Sequence, residues 1–489
     1  MKRIHKRHRI RSRASYGSGS TEDVGERRSG GPDQEGSGAA LLQNRLEKHE
    51  GALKPESVST KQERIAELAR RNPTMAFTSL NHYLDAEWME YAFECTRKDG
   101  AVGVDGVTGE AYAENLQQNL SDLITRIKSG RYRALPVWRR YIDKPDGSQR
   151  ALGIPSFEEK LAQRAIVMLL EPIYEQEFLD GSFGFRPGRS AHQALQALRT
   201  GVMARRGYWV LEVDIRKFYD SIPRPILREI LAKRVTDGVV RRMIDKWLKA
   251  GVLEDGQVHY PETGTPQGSV ISPILSNVVL HHVIDEWFAR EVQPRLRGPS
   301  TLVRYCDDFV MLFANRSDAE RVQAVLGMRL GRFGLQLHPD KTRLVDFRPR
   351  RSPRREDEPE LPTSFSFLGF VHVWGTSRKG NAVVRQVTAK DRLGRSLKAI
   401  NEQCRLMRHW PLPTQHDRLC QMLKGHYGYF GISGNSRRLE HVHYHVRRLW
   451  RSWLSRRSWK SFLSWEKYER LLRRFPLPTP RIVHRYVVP

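Results

Sequence analysis

The sequence predicts an α/β region over residues 66–372 followed by an all-helical region over 373–489, with a disordered basic arm and linker at 1–65 ahead of both. Three observations lead there. Between 66 and 372, stretches of helical periodicity alternate with short runs rich in β-branched and aromatic residues. At 349–363 proline and charge crowd together, which marks a surface loop or a boundary. Beyond that point the chain is basic, rich in tryptophan and apolar at helical spacing.

The arm opens with Met1-Lys2-Arg3-Ile4-His5-Lys6-Arg7-His8-Arg9 and runs on through Gly, Ser, Glu and Asp with few large apolar residues, too few to offset the entropy of ordering. Glu22, Asp23 and Glu26 interrupt it early, unlike a transit peptide. Within the α/β region the Pro-Asp-Gly turn at 145–147 precedes a stretch, Ala151 to Phe178, that reads as mostly helix. Tyr208 to Ile215 reads as a strand, and Thr301 to Phe313 as two short strands about a polar turn. Near the C-terminus Leu439, Val442, Val446, Leu449, Trp450, Trp453 and Leu454 share one side of a helical wheel, with Arg447, Arg448 and Arg451 opposite.

Lysine and arginine number 83 against 55 acidic residues in 489, a formal charge of +28, so the summed field attracts a polyanion and nucleic acid is the expected partner. Four cysteines without a C-x-x-C pair indicate neither a disulfide framework nor a cysteine zinc site. No apolar run approaches the ~18 residues of a membrane span, and the first residues lack the apolar core of a secretory signal. The expectation is a cytoplasmic protein with no membrane contact.

Tyr305-Cys306-Asp307-Asp308 lies between Leu302-Val303 and Phe309-Val310-Met311-Leu312-Phe313. Adjacent carboxylates at a hairpin tip repel one another unless a cation sits between them. A third, Asp214, ends the strand Trp209-Val210-Leu211-Glu212-Val213. If the two strands are neighbours, Asp214 and Asp307 can bridge two magnesium ions roughly 3.5–4 Å apart, with Asp308 supporting, the arrangement that drives in-line phosphoryl displacement.

These residues resemble the metal-binding motifs of reverse transcriptases, and their surroundings resemble the group II intron branch. Gly103-Val104-Asp105-Gly106-Val107-Thr108, Lys144-Pro145-Asp146-Gly147-Ser148-Gln149-Arg150 and Leu152-Gly153-Ile154-Pro155 match its fingers in order. Ser182-Phe183-Gly184-Phe185-Arg186-Pro187-Gly188-Arg189-Ser190, Gly264-Thr265-Pro266-Gln267-Gly268-Ser269, His338-Pro339-Asp340-Lys341-Thr342 and Phe367-Leu368-Gly369-Phe370 continue the series. The resemblance implies right-hand polymerase fingers and palm, the palm a split βαβ (ferredoxin-like) unit, followed by a helical thumb or X (maturase) domain. It implies an RNA-directed DNA polymerase with catalytic, metal-binding Asp214, Asp307 and Asp308, and the Ile215 backbone carbonyl as a further metal ligand. Lys144 and Arg150 would face the triphosphate, and Gln267 would lie along the nucleotide and template pair. Tyr219 would gate the sugar with Phe218 as the competing assignment, and Lys341 would protonate the leaving pyrophosphate. Cys306 stands where relatives commonly carry alanine, and a free thiol there would make activity sensitive to oxidation.

Gly425-His426-Tyr427-Gly428-Tyr429-Phe430-Gly431, Asn435-Ser436 and Phe475-Pro476-Leu477-Pro478 resemble the maturase domain, which makes Arg447, Arg448 and Arg451 expected RNA phosphate contacts. His441, His443 and His445, spaced by two on a helix, point in different directions and form no metal site. The chain stops near the point where many relatives continue into an H-N-H endonuclease, so second-strand cleavage is not expected. The implied partners are a group II intron RNA, target DNA, primer-template and deoxynucleotides, with action at the nucleoid. A free-standing polymerase serving repair or phage defence, and a non-catalytic RNA-binding splicing factor, are the alternatives; the intact Asp214, Asp307 and Asp308 speak against the latter.

Overall fold

The computed structural model describes residues 56–143, 149–205, 207–264, 268–349, 363–377, 379–458 and 462–486. Its strands are β1 (Val137–Asp143), β2 (Gln149–Ile154), β3 (Trp209–Val213), β4 (Val252–Glu254), β5 (Gln257–His259), β6 (Ser300–Tyr305), β7 (Asp308–Phe313), β8 (Arg343–Asp346), β9 (Phe365–Phe367), β10 (Phe370–Thr376) and β11 (Ala382–Thr388). Structure begins earlier than the expected boundary at 66. Glu56–Arg71 is a helix, because Val58, Ile65 and Ala69 recur on one of its sides and are buried in the core. The rest of the expected arm, residues 1–55, lies outside the described residues.

The first sheet has the order β2-β1-β4-β5. Here the helix expected from Ala151 is corrected: Ala151 pairs with Tyr141 and Gly153 with Arg139 in the antiparallel β1–β2 ladder. Pro155 holds the residue before it in an extended conformation, and the Ser156 side chain then caps the helix Phe157–Tyr174 by accepting from the Glu159 amide. That helix is buried nearly all round, with Leu161, Ala165, Leu169, Leu170 and Ile173 fully enclosed. It forms the axis of the first of two cores.

The second sheet carries the chemistry-bearing motifs and has the order β6-β7-β3-β8, every neighbouring pair antiparallel. Every residue of β3 is buried. Side chains alternate between faces, so Leu211, Val213, Phe309 and Met311 enter the first core while Val210, Val303, Val310 and Val345 enter the second. A sheet covered on both faces reads as a continuous apolar run, which is why β3, β6 and β7 are visible in the sequence.

The boundary expected between 372 and 373 falls inside β10. β10 pairs with β9 on one side and β11 on the other, and the helical part begins only at Lys390. The Lys390–Leu406, Leu412–Phe430, Ser436–Leu454 and Trp465–Arg474 helices follow. The expected apolar side of Ser436–Leu454 is inward: Leu439, Val442, Val446, Trp450 and Leu454 are buried, with Leu449 and Trp453 packed at the margin. Trp450 is fully enclosed and its Nε1 donates to Gln415 Oε1 at 2.9 Å. No described helix is long and apolar enough to cross a membrane. Trp450→Ala would leave a large void and strip Gln415 Oε1 of its donor, so it should destabilise the helical region by about 3–5 kcal/mol, read as a lower denaturant midpoint; a midpoint equal to wild type would contradict this packing.

Candidate active site

β6 and β7 form a hairpin in which Tyr305 pairs with Asp308, leaving Cys306 and Asp307 as a two-residue turn. Right-handed strand twist favours a positive φ at the first central position of such turns, and Cys306 has φ 59°. β3 lies beside β7 with Val213 opposite Phe309, so one step further along each strand Asp214 emerges next to Asp308. The sheet thus brings all three predicted carboxylates to one end of adjacent strands.

The segment around His338-Pro339-Asp340-Lys341-Thr342 fixes Asp214 from the other side. The His338 amide donates to the Asp214 carbonyl at 2.8 Å and the Arg216 amide to the Gln336 carbonyl at 2.8 Å. These two bonds flank the Ile215–Leu337 bridge, so the Ile215 carbonyl faces away from that segment. Lys341 Nζ lies 3.0 Å from Asp214 Oδ2.

Desolvation raises the Asp307 carboxyl above its usual range; the Asp214 charge adds to this and Arg150 opposes it. Asp308 is pushed up to about 8, by desolvation first and then by the charges of Asp307, Asp214 and Glu212, against a hydrogen bond from the Leu368 amide. Asp308 is itself exposed at the start of β7. Among the described residues no three His, Cys, Asp or Glu side chains close into a ready-made coordination shell. The crowded carboxylates nevertheless fit magnesium, a hard cation that takes a few carboxylates and completes its shell with substrate phosphates and water.

Of the other expected residues, Lys144 and Gln267 lie outside the described residues. Arg150 is exposed on β2, near enough for its charge to act on Asp307. Phe218 is buried in the first core, 2% exposed, with the Tyr219 ring at 5.5 Å. The Tyr219 hydroxyl lies 2.8 Å from Cys306 Sγ. The expected oxidation sensitivity of Cys306 is not supported by its surroundings: the thiol is buried, hydrogen-bonded and pushed up by burial, so little thiolate forms. Arg447 pairs with Glu469, and Arg451 donates to the Leu463 carbonyl and stacks on Trp465 at 4.3 Å. Arg448 bonds the Tyr444 hydroxyl at 2.8 Å and is exposed. His441 and His445 do not diverge as expected: four residues apart, they share a face with Nε2 atoms 3.1 Å apart, while His443 turns to Tyr427.

Two contributors escaped the sequence reading. The Leu368 amide reaches Asp308 from a backbone with φ 50°, and no residue type announces a backbone donor. Arg304 is fully buried within the apolar run Leu302–Phe313. Its signal was present, since a guanidinium inside a buried strand demands partners.

Residues 142–372 match the family described as reverse transcriptase (RNA-dependent DNA polymerase). Protein YkfC of Escherichia coli (strain K12) is 30% identical over 360 residues, which is 66% of this chain and 90% of that protein. Group II intron-encoded protein LtrA of Lactococcus lactis subsp. cremoris is 36% identical over 226 residues, 45% of this chain and 37% of LtrA. Nuclear intron maturase 1, mitochondrial, of Arabidopsis thaliana is 31% identical over 96 residues, 19% of this chain and 13% of that protein. The chain belongs to the reverse transcriptase family, the RNA-directed DNA polymerases. Within that family it falls in the group II intron reverse transcriptase and maturase branch.

A carboxyl whose folded-state pKa, about 8 for Asp308, exceeds the ~3.9 of an unfolded aspartate favours folding while protonated. That stabilisation is complete below about pH 4 and lost as pH rises through about 8. In chelator, the melting temperature of wild type should therefore fall relative to Asp308→Asn between about pH 4 and 8; parallel profiles would exclude the raised Asp308 value.

Proposed function

We propose that the chain binds its group II intron RNA, assists its splicing and copies it into DNA at a new site by a two-metal mechanism. The observation that carries this is the register of β3 against β7, which sets Asp214 beside the Asp307-Asp308 turn. The chain order β3, helices with the β4–β5 hairpin, β6, β7, helix Arg316–Gly331, β8, together with the spatial order β6-β7-β3-β8, supports reading a split βαβ palm over the second half of 66–372. Fingers precede it, and a helical thumb follows.

Two magnesium ions would supply activation of the primer 3′-hydroxyl and neutralisation of the departing pyrophosphate. Asp214, just past β3, and Asp307, in the β6–β7 turn, would hold that charge, with Asp308 in support and the outward Ile215 carbonyl as one more oxygen. Arg150 and Lys144 clamp the triphosphate. Gln267 lies along the nucleotide and template pair. Tyr219, pinned through its hydroxyl to Cys306, sets a bulky edge under the sugar against a 2′-hydroxyl; burial makes Phe218 its support. Lys341, 3.0 Å from Asp214, is within reach to protonate pyrophosphate. In the thumb Arg448 is the exposed member of the arginine face, while Arg447 and Arg451 brace the last helix and offer RNA their remaining donors. Intron RNA, target DNA, primer-template and deoxynucleotides are the partners, met at the nucleoid.

On an RNA template with deoxynucleotides, Asp307→Ala should lower primer extension by on the order of 10²–10³-fold or more; equal activity in both proteins would sink the assignment. Tyr219→Ala should raise ribonucleotide relative to deoxynucleotide incorporation roughly tenfold. An unchanged ratio there, with a raised one in Phe218→Ala, would move the gate to Phe218.

A further inference from the structure

We propose that Arg304, braced by Asp285 and Asn277, is a positioning residue for the polymerase turn, acting by fixing the Cys306 carbonyl. The proposal rests on the reading of Asp307 as a metal-binding catalytic residue. Arg304 is fully buried in β6, and the pattern of its bonds is informative. Nε and Nη2 grip the Asp285 carboxylate at 2.8 and 2.5 Å, a bidentate pair that suffices to neutralise the buried charge. Nη1 does something else. It donates to Asn277 Oδ1 at 2.9 Å and to the Cys306 carbonyl at 3.1 Å, one residue before Asp307.

The turn needs holding. Cys306 carries a side chain at φ 59°, a conformation that persists only when its surroundings impose it. Arg304 grips the carbonyl of that residue, and a second contact closes on its amide: a Cβ on Gly184 would stand 2.5 Å from the Cys306 nitrogen. Asn277 joins the two, because its Nδ2 donates to the Gly184 carbonyl at 2.7 Å while its Oδ1 accepts from Arg304. The Gly184 segment is itself laced to β6, the Phe183 amide donating to the Arg304 carbonyl at 2.9 Å and the Arg304 amide to the Gly181 carbonyl at 2.7 Å. The motif Ser182-Phe183-Gly184-Phe185-Arg186 thereby gains a purpose: it is the back plate of the turn. Lysine, a single-point donor, cannot reproduce the fork that holds carboxylate, amide and carbonyl together.

Full-length wild type, Arg304→Lys and Asn277→Ala, with Asp307→Ala beside them, are compared in primer extension over a magnesium titration, with melting temperature and RNA affinity measured on the same preparations. In Arg304→Lys and Asn277→Ala kcat should fall roughly 10- to 100-fold and the magnesium concentration for half-maximal rate should rise several-fold, with KM for deoxynucleotide and RNA affinity unchanged. A buried residue with only a folding role lowers the melting temperature and leaves the magnesium dependence of the folded fraction alone. An unchanged magnesium half-saturation overturns the proposal whatever the melting temperature does. Should Arg304→Lys fail to fold, Asn277→Ala decides by the same reading, since it deletes the Arg304 and Gly184 hydrogen bonds and leaves the Asp285 pair intact. Full activity in Asp307→Ala would instead overturn the polymerase reading beneath.

Discussion

Repulsion among Asp214, Asp307 and Asp308 is the constraint to which the neighbouring structure responds. Three carboxyls gathered at one end of a sheet would spread apart on a pliable backbone, relieving the crowding that, after desolvation, lifts the Asp308 carboxyl. They are held by a ladder that fixes β3 against β7, by the His338 and Arg216 amide bonds that fasten the chain on either side of Ile215, and by the buried guanidinium behind Cys306. Each restraint is a backbone hydrogen bond or a bidentate ion pair, the kinds of contact least able to drift.

Burial on both faces of the β6-β7-β3-β8 sheet gives this rigidity its base. The first core packs the helix Phe157–Tyr174 against one face, and the second packs the β9–β11 sheet and the C-terminal helices against the other. Close-packed interiors resist compression, so the strand ends inherit the stiffness of everything beneath them.

Much of this was legible in the sequence, and the misses have physical reasons. β3, β6 and β7 are visible because doubly buried strands leave uninterrupted apolar runs, and the carboxylates stand out because acids at the ends of such runs are costly without a purpose. β2 was read as helix because Ala151 and Leu152 are good helix formers; pairing with Tyr141 and Arg140 across the hairpin overrode that propensity. The β10–β11 hairpin escaped because its strands are half exposed and mix valine with His, Arg and Gln, giving a weak alternation. For the site, residue types announced the carboxylates and the family resemblance supplied Arg150 and the Ile215 carbonyl, whereas the Leu368 amide escaped because a backbone donor is shared by every residue. His441 and His445 were misjudged by attending to neighbours two apart when a helix aligns those four apart.

The two backbone groups of Leu368 touch different parts of the molecule. Its amide bonds the Asp308 carboxylate, and its carbonyl accepts from the Tyr429 hydroxyl of the helix Leu412–Phe430 at 2.8 Å. A single residue, held at φ 50°, therefore links the acidic turn to the helical region through its amide on one side of Cα and its carbonyl on the other. The position of Leu368, and with it a hydrogen bond that favours the ionised form of Asp308, therefore depends on the packing of the helix Leu412–Phe430. The acidic turn and the helical region thus share one residue of backbone as a common support.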